Sequence, residues 1–146
     1  CSKLGIPLTV VGNGPDHKRL RSLAGASVTF LGRVSDQVLE EEFARASGFI
    51  FPGLDDFGIS PVEAMASGTP VIAYKAGGAL DYIRPGITGE FFTHQTAASL
   101  AATLRRFKPG AYSSAAVRAY AQRFSSQQFQ KSMHTYVQTC LKKTSL

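Results

Sequence analysis

The sequence predicts an α/β fold, in which helices cover both faces of a Rossmann-like parallel sheet and further helices follow at the carboxyl end. Between residues 8 and 92, short apolar runs alternate with amphipathic segments. The runs are continuously apolar, which is typical of parallel strands that are buried on both faces. Ligands of such folds bind at the carboxyl ends of the strands, so the residues after each run are the candidate site residues.

The apolar runs predict strands at Leu8–Val11, 28–31, 48–51, Val71–Tyr74 and 90–92. Between the strands, helical periodicity and helix-start residues predict helices at 16–23, Asp36–Arg45, 60–65 and 80–83. Beyond the last strand, helices are predicted at 96–107, at 113–123 and from residue 126 onward. The Lys-Pro-Gly sequence at 108–110 separates the first two of these helices, because proline and glycine interrupt helical structure.

The final helix has an apolar stripe of helical period. Its members are Phe129, Met133, Tyr136, Val137 and Cys140. A stripe of this kind is typical of core or interdomain packing rather than of a cofactor site.

The composition is that of a soluble globular domain. A chain of 146 residues with 44% hydrophobic residues can form one domain with its own core. No apolar run approaches the roughly 18 residues of a membrane span, and the start lacks a signal-peptide pattern. Cys1 and Cys140 fit no metal motif and indicate reduced thiols. We therefore expect a cytoplasmic location. Because a predicted buried strand follows so soon after Cys1, we also expect the chain to be part of a longer protein.

The net charge of +6 has several interpretations. It suits an anionic ligand, peripheral binding to the inner face of a membrane, or simply a solvated basic surface. The basic residues are scattered as single or paired sites, without an arginine-rich stripe or the aromatic pattern of RNA-binding domains. A nucleic-acid partner is therefore not expected.

The most informative stretch, residues 51–83, reads FPGLDDFGISPVEAMASGTPVIAYKAGGALDYI. Asp55 and Glu63 stand on either side of Gly58, where a loop becomes a helix. Free backbone N–H groups at a helix start bind phosphate, and flanking carboxylates accept hydrogen bonds from sugar hydroxyls. This combination suits a ligand that is both polyhydroxylated and anionic.

Each of these residues also has a purely structural interpretation. Ser60-Pro61-Val62-Glu63 matches a capping box, in which Glu63 reaches back to the Ser60 amide. Asp55 is a common type of turn residue, and Gly58 fits a backbone with positive φ or a close approach.

Two glycine turns follow the first two strands. Gly12 and Gly14 begin a dinucleotide-binding pattern, but its third glycine would stand at position 17, which is His17. The turn is therefore a tight connection that also lets the backbone approach a ligand. After the second strand, Arg33 and Val34 precede a helix N-cap and are candidates for contact with a nucleobase and a phosphate.

Five stretches, in order, resemble the C-terminal half of retaining glycosyltransferases of the GT-B fold, in the glycosyltransferase group 1 family (GT4). They are VVGNGPDHKRLRSLA, VTFLGRVSDQVLEEEFARASGFIFP, DDFGISPVEAMASGTPVIAYKAGGALDYI, GITGEFF and FSSQQFQKSMHTY. The resemblance implies that residues 1–146 form the C-terminal donor-binding domain. It also implies that this domain lacks its first strand and helix, whose arginine and lysine clamp the diphosphate, and that an N-terminal acceptor domain is missing.

The family's Glu-x7-Glu pair falls on Asp55 and Glu63, so this chain has an Asp-x7-Glu pair. The resemblance assigns Glu63 to the ribose hydroxyls. It assigns Asp55, one methylene shorter than the family's glutamate, to the donor sugar near the reacting carbon.

The resemblance further implies main-chain contacts to the sugar and diphosphate, and contacts to the base. The main-chain contacts fall on Phe57, Gly58, Ile59 and Ser60. Arg33 and Val34 would lie beside the base.

The implied activity is transfer of a hexosyl group, with retention of configuration, from a nucleotide-diphosphate sugar to a hydroxyl of a glycan or lipid-linked saccharide. The motif wording is most similar to members that use GDP-mannose, and neither a metal nor another cofactor is expected. This chain alone is expected to be inactive. The alternatives are a non-catalytic sugar-nucleotide-binding module and a sister GT-B enzyme, such as a nucleotide-sugar epimerase.

Overall fold

A computed structural model describes the backbone of residues 1–144 and the side chains of residues 1–142. The strands are β1 (Leu8–Val11), β2 (Val28–Gly32), β3 (Phe49–Phe51), β4 (Val71–Tyr74) and β5 (Gly89–Phe92). The helices are α1 (His17–Leu23), α2 (Asp36–Arg45), α3 (Ile59–Ala66), α4 (Ala79–Tyr82), α5 (Ala97–Arg106), α6 (Ser114–Ala121) and α7 (Ser126–Thr144). Short 3-10 turns occupy Ser2–Leu4, Pro109–Ala111 and Gln122–Phe124. The predicted class is confirmed, because every strand pair is parallel and helices connect the strands.

The strands form two hydrogen-bonded sheets rather than one continuous sheet. β1 pairs with β2, and the second sheet has the order β3-β4-β5. Within the described residues, β1 and β3 each pair with a single neighbour, so each has a free edge. Local sequence does not specify which strands become neighbours, and the separation of the two sheets was therefore not predicted.

The core lies almost entirely in the second half of the fold. Val71, Ile72 and Ala73 of β4 are buried, and Met65 of α3 and Val117 of α6 pack into the same core as Val71 and Ala73. By contrast, none of residues 1–42 is buried, although β1 and β2 are apolar in sequence. The β3-β4-β5 sheet is therefore the stable base from which the site is built.

Buried threonines tie the loops to this core. The Thr88 hydroxyl donates to the Tyr82 carbonyl at 2.9 Å and accepts from the Arg84 N–H at 2.7 Å. The Thr69 hydroxyl donates to the Phe43 carbonyl. Satisfied polar groups of this kind fix loop geometry, because a buried hydroxyl without a partner is unfavourable.

The apolar stripe of helix α7 does not have one of the two roles predicted for it. Phe129, Met133, Tyr136 and Val137 are all exposed, so core packing of the stripe is wrong for this structure. The pattern shows only that one face is apolar, and it cannot show whether a partner covers that face. Interdomain packing stays a prediction.

We expect Gly89→Ala to destabilise the fold severely. Gly89 pairs with Val71, and a Cβ on Gly89 would overlap the Val71 carbonyl oxygen, so β4 and β5 must separate. Overpacking of this kind costs about 3 kcal/mol or more when backbone must move. Urea denaturation checks the change in the free energy of unfolding.

Gly110→Ala is the matched control, because a Cβ there meets no atom within 4 Å. If Gly89→Ala and Gly110→Ala have the same urea midpoint, the close approach of β4 and β5 is wrong.

Candidate functional site

The loop between β3 and α3 carries the predicted acidic residue Asp55. Asp55 and Phe57 are exposed, as is Glu63 on the following helix. Within the described part of the chain, neither the Asp55 nor the Glu63 carboxylate makes a hydrogen bond or an ion pair. Both carboxylates are therefore free to accept hydrogen bonds from a ligand.

Helix α3 starts one residue earlier than predicted, and this removes the capping box. Gly58 is the N-cap with φ 84°, and no side chain caps the helix. Ser60 is then inside the first turn, so it cannot act as the N-cap that Glu63 would complement. The capping-box interpretation of Glu63 is wrong, because the glycine adopts a positive φ that starts the helix before Ser60.

The uncapped start of α3 is electropositive. The first N–H groups of a helix have no intrahelical partner, and the helix dipole adds partial positive charge at the same end. Ile59 and Ser60 are exposed residues there, while Pro61 is buried. The arrangement can bind an anion between the two free carboxylates.

The turn after β4 holds the Asp55 loop in place through direct backbone packing. The Gly78 N–H donates to the Asp55 carbonyl at 2.9 Å. A Cβ on Gly78 would lie 2.5 Å from the Cα of Phe57, and one on Gly77 would overlap the Asp55 carbonyl oxygen. Only glycine permits this approach.

Tyr82 packs against the same loop from the buried side. It was not among the site residues that the sequence predicted. Its side chain is 0% exposed, and its ring contacts Phe57 edge-on at 6.1 Å. A Cβ on Gly58 would lie 2.9 Å from the Tyr82 hydroxyl oxygen. Burial, with smaller contributions from the charges of Asp55 and Asp81, raises the pKa of Tyr82 to about 12. A tyrosine in the predicted short helix at 80–83, next to the apolar Ile83, was the available signal.

A second group of predicted residues lies at the carboxyl end of the β1-β2 sheet. The Gly12 N–H donates to the Gly32 carbonyl at 2.6 Å, which joins the two glycine turns. Gly14 and Arg33 are exposed, and Val34 is half-buried. Ser35 caps α2 by accepting from the Val38 N–H at 3.4 Å, as predicted.

The structure thus brings the predicted site residues together in two groups. The first, which we call the Gly12–Arg33 group, lies on the first sheet and consists of Gly12, Gly14, Arg33 and Val34. The second, which we call the Asp55–Glu63 group, lies on the second sheet and consists of Asp55, residues 57–60 and Glu63. Across the described residues, no hydrogen bond, ion pair or aromatic contact joins residues 1–34 to the second sheet. Two shallow cavities, of about 340 and 330 Å³, are lined by residues other than Asp55 and Glu63.

The described part of the chain contains neither a metal-binding cluster nor a membrane-spanning helix. In residues 1–142, no three His, Cys, Asp or Glu side chains are grouped closely enough to hold a metal ion. The expectation of a metal-free reaction stays a prediction. Among the helices of the described chain, none combines the length and apolarity that a membrane crossing requires.

The sequence matches the family model described as glycosyl transferases group 1 over residues 2–124. The chain is 35% identical over 85 residues to a GDP-mannose-dependent alpha-mannosyltransferase of Corynebacterium glutamicum, which covers 58% of this chain and 20% of that protein. It is 36% identical over 104 residues to a phosphatidyl-myo-inositol mannosyltransferase of Mycobacterium leprae, covering 68% and 28% of the two chains. The chain thus spans between a fifth and 28% of these relatives.

Solved structures have the same fold. The sucrose-phosphate synthase of Thermosynechococcus elongatus superposes with a TM-score of 0.76 at 26% identity, covering 92% of this chain and 38% of that one. HepE of Anabaena, solved with UDP and glucose, superposes with a TM-score of 0.67 at 23% identity, covering 88% and 40%. At this level of identity, the similarity to HepE is evidence only for the fold of this chain.

We expect Gly78→Ala to release the Asp55 loop. The added methyl group must displace the Phe57 backbone, and the bond from the Gly78 N–H to the Asp55 carbonyl is then lost. The free energy of local opening should fall by about 1–3 kcal/mol. Hydrogen exchange of residues 53–60, followed by mass spectrometry, measures this fall.

Gly53→Ala provides the control within the same loop, because a Cβ there makes only ordinary contacts of 3.8 Å or more. Equal exchange rates in the two variants would contradict the proposed packing.

Proposed function

Since the chain belongs to the glycosyl transferases group 1 family, we propose that it forms the nucleotide-sugar site of a hexosyltransferase. The complete protein would transfer mannose from GDP-mannose to an acceptor hydroxyl with retention of configuration. The observation that carries the proposal is the uncapped N-terminus of α3, flanked by the unpaired carboxylates of Asp55 and Glu63.

The two carboxylates have different proposed roles. Glu63, which lies within α3 and is freed from any capping role, accepts hydrogen bonds from the ribose hydroxyls. Asp55 accepts from hydroxyls of the transferred sugar and orients the reacting carbon. The main chain of Phe57, Gly58, Ile59 and Ser60, of which Gly58 is half-buried and the others are exposed, binds the sugar and the diphosphate.

The Gly12–Arg33 group completes the nucleotide end of the proposed site. The backbone at Gly12 and Gly14 approaches the diphosphate, which the absence of a side chain permits. Arg33 and Val34 contact the base. The preference for GDP-mannose is supported by the Corynebacterium relative, which is named as GDP-mannose-dependent.

The proposed catalysis is electrostatic. As the glycosidic bond breaks, positive charge develops on the sugar ring and negative charge grows on the departing diphosphate. The N–H groups of α3 stabilise that negative charge more strongly in the transition state than in the ground state, which accelerates the step. The N-terminus of α3, together with the arginine and lysine that the family resemblance places in the missing first strand and helix, would neutralise the diphosphate, so we propose that no divalent cation is required.

We further propose that a strand outside this chain lies between β1 and β3. Doubly wound sheets commonly have the strand order 3-2-1-4-5-6. If β1 and β2 are the second and third strands of such a sheet, the order becomes β2-β1, one added strand, then β3-β4-β5. The free edges of β1 and β3, and the lack of buried residues before Phe43, support this order.

The remaining parts of the proposal concern the complete protein. An N-terminal domain would bind the acceptor, a glycan or a lipid-linked saccharide, on the cytoplasmic side. The Mycobacterium leprae relative is named for a phosphatidyl-inositol acceptor, which supports a lipid-linked substrate. The net charge of +6 suits peripheral contact with an anionic membrane surface. A non-catalytic sugar-nucleotide-binding module is the second candidate, favoured by the aspartate at position 55.

We expect Glu63→Gln to weaken GDP binding by about 10- to 100-fold, since hydrogen bonds to a charged acceptor are the stronger ones. Calorimetric titration with GDP, UDP and ADP measures this loss and the base preference, and EDTA should leave binding unchanged. Asp55→Asn should weaken GDP-mannose more than GDP, because only the sugar contacts Asp55.

Glu40→Gln is the matched control, since Glu40 is an exposed glutamate on α2 and its substitution makes the same change in net charge. A folded wild-type chain that binds no nucleotide would contradict the proposal for this chain. Binding without transfer by the complete gene product would favour the non-catalytic module.

The added strand predicts a second measurement. In this chain alone, amides of β1 should exchange hydrogen at least about 100-fold faster than those of β4, because β1 has no buried residue. Supplying the strand-helix segment that precedes this region in the gene product should slow exchange in both β1 and β3. If the amides of β1 and β4 were equally protected from hydrogen exchange in the chain alone, the proposal of an added strand between β1 and β3 would be contradicted.

A further inference from the structure

Tyr82 has a buried hydroxyl that the proposed function does not yet use. Among the described residues, only three buried side-chain oxygens lack a hydrogen-bond partner: those of Ser27, Tyr82 and Tyr120. A buried polar group without a partner is unfavourable and uncommon in native proteins. The Tyr82 hydroxyl therefore requires an explanation.

Its position is directly under the site. The Tyr82 hydroxyl lies against Gly58, the N-cap of α3, at the point where a Cβ would come within 2.9 Å of it. The Tyr82 ring packs edge-on against Phe57, at an interplanar angle of 76°. The hydroxyl thus points toward the turn that joins Asp55 to α3.

The state of the hydroxyl makes it a hydrogen-bond donor. Its pKa, raised to about 12 by burial and then by the Asp55 and Asp81 charges, keeps it protonated at neutral pH. The Asp55 carbonyl already accepts from the Gly78 N–H, whereas the Asp55 carboxylate has no hydrogen bond in the described chain. A donor without an acceptor therefore lies beneath a loop whose carboxylate has no donor.

We propose that Tyr82 is a positioning residue, whose hydroxyl donates a hydrogen bond to the Asp55 carboxylate when the nucleotide sugar is bound. The bond holds one carboxylate oxygen, and the other oxygen accepts from a hydroxyl of the sugar. The inference rests on the proposed function and adds to it the group that orients Asp55. In the proposed bound state, Tyr82 contacts the Asp55 carboxylate and not the substrate.

Loss of water from the Asp55 carboxylate explains why the hydrogen bond from Tyr82 forms when the nucleotide sugar binds. In the free chain, water already donates hydrogen bonds to the exposed Asp55 carboxylate. A hydrogen bond from the buried Tyr82 hydroxyl would therefore not stabilise the carboxylate more than water does. When a sugar covers the carboxylate, that water is displaced and the protein must replace its hydrogen bonds. The Tyr82 hydroxyl, a buried donor beside Gly58 with no partner of its own, is placed to do so.

The test compares Tyr82→Phe with Tyr120→Phe. Each substitution deletes one buried hydroxyl that has no partner, so both variants should keep or raise the urea midpoint of the wild type. Tyr120 contacts Arg84, Arg123 and Phe124, and in the described chain its ring has no contact with the rings of Phe57 or Tyr82, so it serves as the matched control. Calorimetry then measures the Kd of GDP-mannose and the Kd of GDP for each variant.

We expect Tyr82→Phe to weaken GDP-mannose about tenfold while leaving GDP unchanged, as for loss of one hydrogen bond to a charged group. Tyr120→Phe should leave both constants unchanged. In Asp55→Asn, adding Tyr82→Phe should cause little further loss, because the two groups act as one unit.

Three results would overturn the inference, and they are distinguishable. Wild-type binding of GDP-mannose with no loss in Tyr82→Phe overturns the role of Tyr82 and leaves the proposed function intact. Failure of the folded wild-type chain to bind GDP or GDP-mannose overturns the proposed function, and the role of Tyr82 with it. Equal weakening of GDP and GDP-mannose in Tyr82→Phe would show a general effect on the loop and also overturns the inference.

Discussion

The contact between the Gly78 N–H and the Asp55 carbonyl is the interaction on which the rest of the site depends. It joins the end of the buried strand β4 to the loop that follows β3, and it leaves no space for a side chain at either glycine of the turn. Because the apolar residues of β4 are buried, β4 gives the loop a rigid support. The positive φ of Gly58 and the start of α3 follow from where that loop is held. A site formed on a loop thereby gains the precision of a strand.

Electrostatics then limits how a ligand can lie on this surface. Two like charges 4 Å apart repel by about 4 kcal/mol at an effective dielectric constant of 20, whereas a helix N-terminus offers an anion about 0.3–1 kcal/mol at an exposed position. A diphosphate close to Asp55 or Glu63 would therefore be repelled more than the helix attracts it. The carboxylates must face hydroxyl groups at the two ends of the ligand, with the phosphates between them. A sugar nucleotide has this order of groups: ribose, diphosphate, sugar.

Most of the fold and part of the site could be predicted from the sequence, and the omissions have physical causes. Strand and helix positions follow from local periodicity, so β1, β4 and α2 match the prediction at both ends. The start of α3 was missed because a glycine with positive φ outweighs the capping preference of Ser60. Tyr82 was missed because its role comes from tertiary packing beneath Gly58. Sheet pairing was missed because it is set by contacts distant in sequence.

In the proposed strand order, folding and donor binding are coupled. A two-stranded sheet is only marginally stable by itself, and β1 and β2 contain no buried residue to support one. A strand between β1 and β3 would bury their apolar side chains and set the spacing between the Gly12–Arg33 group and the Asp55–Glu63 group. A ligand that contacts both groups would then bind this chain by itself, and would bind more tightly when that strand is in place. Because linkage is reciprocal, a bound sugar nucleotide would in turn stabilise the joined sheet.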